Sequence, residues 1–557
     1  MIYKIADNIL SPLGTTTQEN LRAIANGESR LTRHEGLWQL PEPFTASLFP
    51  TDGRMDFEHL ATTSARRAIL ESGINVSSSR SVLILSTTKG DVECLSPETA
   101  ANDDYGLGAS ARRISKNLGF TTEPIVVCNA CVSGLSAIIL AQRLLDCGYY
   151  DHAVVCGAEV QSRFIISGFQ SLKAMSSRPC RPFDLERTGM NLGEAAASIV
   201  FSIQPSKSDD WAIATGAVNN DAYHISTPHR QGEGLRLALT AISKEIPTEE
   251  LACINAHGTA TLFNDQMESV AIERAGLGSL PVVGLKGYYG HTMGASGVLE
   301  TVLCMAALDE GWIPATRGFE ERGVSGKIQV TKERLSTDKR SFIKTLSGFG
   351  GCNAAILATK GGKEKERKMQ PTEWNFSHRV RITPDGVTID GKHLDTQATG
   401  DAMLRELYER YVGGYPKFHK MDSLCKLGFI ASELLLKAEG KEHFKESTNR
   451  AVVLMNRSSS VAADLKYLST IQPDNYFPSP SHFVYTLPNI VTGEIAIRNH
   501  YQGETAFYIL PEKNEVLMSQ ILTATSCDPR TDSILAGWVD YRNSKEFEAE
   551  CEIIVRS

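Results

Sequence analysis

Cys131, His257, Lys286 and His291 are the residues of this sequence best placed to do chemistry. Cys131 falls where a β-branched run, Ile-Val-Val, gives way to apolar residues at helical spacing: Leu135, Ile138, Ile139, Ala141, Leu144 and Leu145. A thiol there sits at the first turn of a buried helix, where free backbone N–H groups and the helix dipole favour an anion, so Cys131 is a candidate nucleophile. The small residues Ala130, Ser133 and Gly134 leave room for a thioester to reach the sulfur. His257 follows the end of a strand and is flanked by Thr259 and Thr261, while Lys286 and His291 bracket a glycine turn that opens a helix. One thiol, two imidazoles and a lysine suit acyl-thioester chemistry.

Blander readings stand beside this one. Cys131 would serve as a core cysteine, or as half of a metal or redox pair with Cys128 in a C-x-x-C. No second C-x-x-C completes a zinc site, and no thioredoxin-like surround is present. A histidine beside a glycine turn is commonly structural, and a lone lysine is commonly solvated. Residues 347–353, Ser-Gly-Phe-Gly-Gly-Cys-Asn, would be no more than a strand-to-strand turn, though they present one aromatic, Phe349, among glycines. No phosphate-binding glycine pattern opens a helix.

The elements that must position these residues alternate between strand and helix. Strands are expected at 82–85, before Cys131, at 153–159, 213–218, 252–255, 281–284 and 342–346. Helices are expected at 55–74, after Cys131, and at 233–244, 264–275 and 295–309. This is layered α/β structure. The chain has 557 residues, 42% hydrophobic and 22% charged, enough for several domains with ample core. Its net charge of −8 argues against nucleic acid as a partner, and an acidic partner would need a local basic patch. Twelve irregularly spaced cysteines read as a reducing compartment. With no signal-peptide pattern at the N-terminus and no apolar run long enough to span a membrane, a cytoplasmic protein is expected.

Residues 360–370 carry dense charge and two glycines and read as a linker between a domain at 1–359 and a second at 371–557. The second segment echoes the first. Residues 422–436 resemble the helix at 55–74, residues 451–460 resemble 81–90, residues 486–497 resemble 127–138, and residues 532–537 resemble 151–157. On this alignment Ile490 takes the place of Cys131, so the second copy would keep the scaffold without the thiol.

The motifs, taken in order, carry a family resemblance. They are Ala130-Cys131-Val-Ser, residues 168–176 (Gly-Phe-Gln-Ser-Leu-Lys-Ala-Met-Ser), residues 181–189 (Arg-Pro-Phe-Asp-Leu-Glu-Arg-Thr-Gly), Asp221-Ala-Tyr-His, His257-Gly-Thr-x-Thr, Lys286-x-x-x-Gly-His291-x-x-Gly-Ala, and Gly348-Phe349-Gly-Gly-x-Asn353. They resemble the β-ketoacyl-acyl carrier protein synthases of the thiolase-like superfamily over most of residues 1–360. The resemblance implies a layered α-β-α-β-α fold of two similar halves, joined to a smaller C-terminal α/β domain resembling one thiolase-like half. It makes Cys131 the acyl acceptor and His257 and His291 the donors that stabilise the enolate formed by decarboxylation of malonyl carrier protein. Lys286 would hold the electrostatic network with Glu268 as its partner, and Asp265 would support the same loop, beside Thr259 and Thr261. The amides of Cys131 and Phe349 would form the oxyanion hole, with the Phe349 ring as a gate and Ser347, Gly348 and Gly350 around the pocket. Arg54 and Arg181 would dock the acidic carrier protein.

The implied activity is an acyltransferase reaction: decarboxylative condensation that lengthens an acyl thioester by two carbons, in fatty acid or related polyene, aryl lipid or polyketide biosynthesis. No metal and no cofactor of its own is expected, since the carrier's phosphopantetheine bears the substrates. A homodimer, or a heterodimer with another thiolase-like subunit, is the family expectation. Ser347 stands where many relatives have Phe, and Thr345-Leu346 replaces Asn-Ser, so the pocket is expected to be reshaped. The alternatives are a non-extending acyl transferase, a non-catalytic partner subunit and, opposed by the two histidines and Lys286, a coenzyme A-dependent thiolase.

Overall fold

The computed structural model describes residues 1–50, 54–102, 106–361, 374–440, 445–472 and 475–556. A single motif of five strands and three helices occurs three times along the chain. The first copy runs β1 (Ile2–Leu10), α1 (Phe57–Ser72), β2 (Ser81–Ser86), α2 (Leu107–Leu118), β3 (Ile125–Val127), α3 (Ser133–Asp146) and β4 (His152–Glu159), then an inserted α4 (Arg163–Ser171), and closes with β5 (Ala195–Ser202). The second runs β6 (Trp211–Asn220), α5 (Glu233–Ser243), β7 (Cys253–Asn255), α6 (Leu262–Arg274), β8 (Pro281–Val283), α7 (Ser296–Asp309), β9 (Ser341–Gly348) and β10 (Cys352–Lys360). The third runs β11 (Trp374–Thr383), α8 (Ser423–Glu439), β12 (Arg450–Asn456), α9 (Ile490–Asn499), β13 (Thr505–Ile509), α10 (Glu515–Ser526), β14 (Ser533–Asn543) and β15 (Glu546–Arg556).

Pairing is the same in each copy. The order is 3-2-4-5-1 in the first sheet, 8-7-9-10-6 in the second and 13-12-14-15-11 in the third. The first two neighbour pairs are parallel and the last two antiparallel every time. The alternation of side chains places each sheet between two layers. On β2, Val82 and Ile84 face the inner core with α3 and α7, and Leu83 and Leu85 face the outer core with α1 and α2. The second sheet packs α5 and α6 on its outer face. Helices α3 and α7 are buried on all sides, the mark of a central layer. The expected α-β-α-β-α architecture of two similar halves is therefore present, and the smaller C-terminal domain repeats one half. No helix among the described residues is long and apolar enough to cross a membrane.

The third copy is not a separate body. Its β13 pairs antiparallel with β3, Val127 opposite Tyr508 and Val126 opposite Ile509, and Cys128 N–H donates to the Phe507 carbonyl at 3.1 Å. The first and third sheets thus run on into one another through β3 and β13. Buried ion pairs cross the same seam. Arg143 on α3 meets Glu504 at 2.7 Å and Asp528 at 2.9 Å, and Lys89 meets Asp464 at 2.6 Å.

The repeat corrects one sequence alignment. The thiol turn of the first copy lies between β3 and α3, and its place in the third copy is the stretch between β13 and α10, residues 510–514, which holds no cysteine. Ile490 opens α9, which precedes β13 and corresponds to α2, not to the helix after the thiol. The apolar pattern of residues 486–497 matched the wrong helix because both are buried amphipathic segments of similar length. The N-terminal unit ends with β10 at Lys360, and residues 362–370 of the expected linker lie outside the described residues.

Candidate active site

Cys131 lies in a one-turn 3-10 segment, Ala130–Val132, between β3 and α3. Ala130 has φ +50, a left-handed conformation that turns the chain sharply. Ser133 Oγ locks the turn, accepting from Asn129 N at 2.8 Å and donating to Ala130 O at 2.6 Å. The second copy repeats the device. A 3-10 segment, Met293–Ala295, precedes α7, and Met293 has φ +41. His291 sits just before that turn, so the pseudo-symmetry of the two halves faces thiol and imidazole across the central layer.

His257 follows β7, and the three functional groups converge. Cys131 Sγ and a ring nitrogen of each histidine lie within 4.8 Å of one another, and the two rings meet edge to face with centroids 4.9 Å apart. His291 Nδ1 accepts from Met293 N at 3.2 Å and lies 3.0 Å from Ser296 Oγ, which leaves Nε2 to carry the hydrogen. That Nε2 and His257 Nδ1 are buried polar atoms without a hydrogen-bond partner. Burial, then the Lys286 cation, holds both imidazoles well below their ordinary range, so both are neutral at neutral pH. Burial pushes the Cys131 thiol up to about 12 against the pull of Lys286; the residue nonetheless keeps an edge on the cavity described below. Cys128 points elsewhere: its thiol donates to the Thr88 carbonyl at 3.4 Å, so the C-x-x-C is not a working pair.

Lys286 is fully buried and does not pair with Glu268, contrary to expectation. Its Nζ donates to the His257 carbonyl at 2.5 Å and to Glu300 at 2.8 Å. The other oxygen of Glu300 takes Lys344 at 2.6 Å. Glu268 instead receives the backbone N–H groups of His257 (2.6 Å) and Gly258 (2.9 Å) and the Thr345 hydroxyl (3.0 Å). Asp265 holds the rest of that loop through the N–H groups of Thr259, Ala260 and Phe183. The two lysines share the Glu300 carboxylate, Lys344 also feels Glu268, and the Cys131 thiol feels both Lys286 and Glu159. The three donors form a Cys-His-His set of the kind that holds zinc elsewhere.

A cavity of about 320 Å³ leads to Cys131, lined by His257, Thr259, Thr261, His291, Ser347, Gly348 and Phe349 among others. Gly348 packs on the Cys131 amide, 3.2 Å from where a side-chain carbon would stand, and both Cys131 and Phe349 face this cavity. Gly350 does not line it; it lies behind the turn against Asn489. Ser347 donates to Asn353 at 2.7 Å, and Asn353 in turn donates to Asp221 at 3.0 Å. The two arginines expected to dock a partner are engaged within the chain. Arg54 lies against Glu194, Glu93 and the Gln161 carbonyl, and Arg181 against Asp184 and Glu186. At the rim, Leu262 and Phe263 are 58% and 72% exposed, apolar residues that the sequence displayed without assigning a role.

Residues 14–203 match the family described as beta-ketoacyl synthase, N-terminal domain, and residues 212–320 match beta-ketoacyl synthase, C-terminal domain. The chain belongs to the beta-ketoacyl synthase family. Among its relatives, Nodulation protein E of Rhizobium leguminosarum bv. trifolii is 28% identical over 263 residues, 44% of this chain and 64% of that protein. A 3-oxoacyl-[acyl-carrier-protein] synthase 2 of Vibrio cholerae is 26% identical over 406 residues, 63% of this chain and 96% of that protein. The chain thus spans just under two thirds of the length of the nodulation proteins it matches. A beta-ketoacyl synthase from Burkholderia phymatum shares the fold over 64% of this chain and 99% of its own, with 22% identity and a TM-score of 0.56. A PfaC keto synthase–chain length factor structure shares it over 100% of this chain and 78% of its own, with 15% identity and a TM-score of 0.78.

In this family member the sequence motifs placed Cys131, His257, Lys286 and His291 together. Sequence reasoning missed Lys344, and it named Glu268 rather than Glu300 as the partner of Lys286. The signal for Lys344 was present as a charged residue inside the apolar run of β9, where only a satisfied ion pair is tolerated.

Proposed function

We propose that the protein condenses an acyl thioester with malonyl carrier protein, with loss of carbon dioxide and extension by two carbons. The observation that carries this reading is the convergence of one thiol and two neutral, partnerless imidazole nitrogens over a buried dilysine–carboxylate network. Cys131 accepts the acyl group from a carrier thioester and releases the carrier thiol, its own proton passing to the leaving sulfur. Malonyl thioester then loses carbon dioxide, and the electron pair becomes an enolate whose oxygen takes the hydrogen bonds of His257 and His291. The enolate carbon attacks the acyl carbonyl on Cys131. The C–S bond breaks, the Cys131 sulfur takes up a proton, and the β-ketoacyl product remains on the carrier. The amides of Cys131 and Phe349 are proposed to receive the oxyanion.

The reading needs no metal and no resident cofactor, because phosphopantetheine arrives with the carrier protein. It suits a reducing cytoplasm, where Cys131 stays a thiol. The third copy is proposed to be non-catalytic, with no cysteine in the stretch between β13 and α10, and to stand in for a second subunit. The outer edge of β3, where another chain would pair, already holds β13. On the far side of Phe349 from the main cavity, Phe483, Thr486 and Leu487 of the third copy floor a smaller pocket that reaches Cys131. We assign that pocket to the acyl chain.

The deciding experiment is intact-mass analysis of the protein mixed with a panel of acyl carrier proteins, followed by malonyl carrier protein. Acylation lost in Cys131→Ala, with a two-carbon-longer product from the wild type, is expected. Acylation without extension would establish a transferase instead, and acylation only from coenzyme A esters would overturn the carrier-protein reading.

A further inference from the structure

Phe349 separates two spaces that share Cys131. The outer cavity holds about 320 Å³, while the inner pocket holds about 20 Å³. The inner pocket has room for about one water molecule and none for an acyl chain. Its walls are Thr88, Ile165, Phe169 and Met293 on one side and Phe483 and Leu487 of the third copy on the other. Filling it requires the turn at residues 348–351 to move.

That turn is held from the second copy, where Gly350 N donates to the Ile225 carbonyl at 2.7 Å and Asn220 Nδ2 donates to the Gly350 carbonyl at 2.8 Å, and also from the third. Asn489, the residue that enters α9, donates from Nδ2 to the Phe349 carbonyl at 2.9 Å. One turn along α9, Gly493 lies so close that a side-chain carbon would stand 2.6 Å from the Gly350 oxygen. Gly350 itself has φ +86, and a side-chain carbon there would come within 2.7 Å of Asn489 Nδ2. The other carboxamide atom, Asn489 Oδ1, is buried and has no hydrogen-bond partner. A buried acceptor without a donor is costly, so the closed position leaves this carboxamide only half satisfied. The Phe349 ring is meanwhile backed by Phe169 (6.2 Å between centroids), which meets Phe483 edge-on at 5.3 Å. The carboxamide thus holds the turn in the closed position at the cost of one unsatisfied acceptor.

We propose that Asn489 is the positioning residue that latches the Phe349 turn shut, so that the third copy controls entry of an acyl chain to the inner pocket. This rests on the reading of Cys131 as the acyl acceptor and adds to it a specific residue outside the matched family regions.

The test measures access to Cys131 without any carrier protein. Full-length protein is alkylated with iodoacetamide and, separately, with N-dodecyl iodoacetamide, and the Cys131 peptide is quantified by mass spectrometry. Asn489→Ala and the isosteric Asn489→Asp are expected to raise the ratio of long-chain to short-chain alkylation by roughly three- to tenfold, the worth of one net hydrogen bond. Gly493→Ala, which forces a methyl against the Gly350 oxygen, is expected to act in the same direction. Phe349→Ala should raise the ratio by itself, and adding Asn489→Ala to it should change nothing further. An unchanged ratio in folded Asn489→Asp and Gly493→Ala would overturn the proposal. So would an Asn489 effect that simply adds to that of Phe349→Ala. A normal latch response in a protein that never extends malonyl carrier protein would count against the condensing reaction and leave the latch standing.

Discussion

Gly134 and Gly297 touch backbone to backbone at the centre of the molecule. A side-chain carbon on Gly297 would stand 2.5 Å from Leu135 N, and one on Gly134 would stand 2.9 Å from the Gly297 Cα. Each glycine is the second residue of its helix, α3 or α7, just past the turn that presents Cys131 or leads on from His291. The approach of thiol and imidazole is therefore set by two missing side chains.

Gly297→Ala should separate the helix starts. Overpacking of a filled core costs on the order of 1–3 kcal/mol, so a lower melting temperature is expected. Condensation should fall further than stability accounts for, because the Cys131–His291 geometry opens. Retention of wild-type kcat at a temperature well below melting would refute the claim that this contact sets the site.

The histidines predict a pH profile. Burial lowers both imidazoles well below 6.5, so the neutral, hydrogen-bond-donating form persists through neutrality. The acid limb of condensation, and the imidazole titrations followed by NMR, should lie below 6.5; an inflection at or above it would contradict the assignment. His257→Ala and His291→Ala should each cost decarboxylation about 10²–10³-fold, the range for removing one oxyanion donor, while Cys131 acylation survives. Asp265 predicts a separate effect on stability. Burial pushes it up to about 6, above its unfolded value of 3.8, so its contribution is greatest in acid and is lost as pH rises through about 6. The melting temperature of the wild type relative to Asp265→Asn should decline over that interval.

Glu300 is shared by two buried lysines, and its removal should be worse than removal of either. Glu300→Gln removes the carboxylate that Lys286 and Lys344 share, a loss of about 3–5 kcal/mol for breaking a buried ion pair. Lys344→Met should be milder, since Glu300 keeps Lys286. Denaturant unfolding of the two variants gives the order directly.

Cys147 and Cys527 end α3 and α10, and their sulfurs lie 3.1 Å apart across the seam. Neither is fully buried. Oxidised glutathione should join them by thiol–disulfide exchange, two thiols giving one disulfide and two molecules of glutathione. The expected product is 2 Da lighter, reverts with dithiothreitol and does not form in Cys527→Ser. Recovery of both peptides unlinked from oxidised native protein would refute the contact.

Much of this was legible in the sequence, for identifiable reasons. The strands and helices of the first two copies announced themselves through apolar runs between glycine turns. Cys131, His257 and His291 stood at junctions where elements end. What failed was anything that depended on which buried segment packs on which. Ile490 was set opposite Cys131 because α9 and α3 are both apolar at helical spacing, and only the pairing of β13 with β3 separates them. Glu268 and Glu300 are both acids near the right motifs, and only the fold shows that one holds backbone and the other holds lysine. Arg54 looked available because sequence does not show Glu194 beneath it.

The seam between β3 and β13 also bears on amounts. A pairing made within one chain is governed by a local concentration in the millimolar range for a short connection, however dilute the protein. The ratio of thiol-bearing to thiol-free copies is fixed at synthesis, and neither can exchange for a rival in the cell. The contacts of Asn489 and Gly493 on the Phe349 turn therefore need only modest intrinsic strength. A weak latch that always re-forms can release and reset within each turnover, which a latch borne on a separate, dissociating subunit could not guarantee.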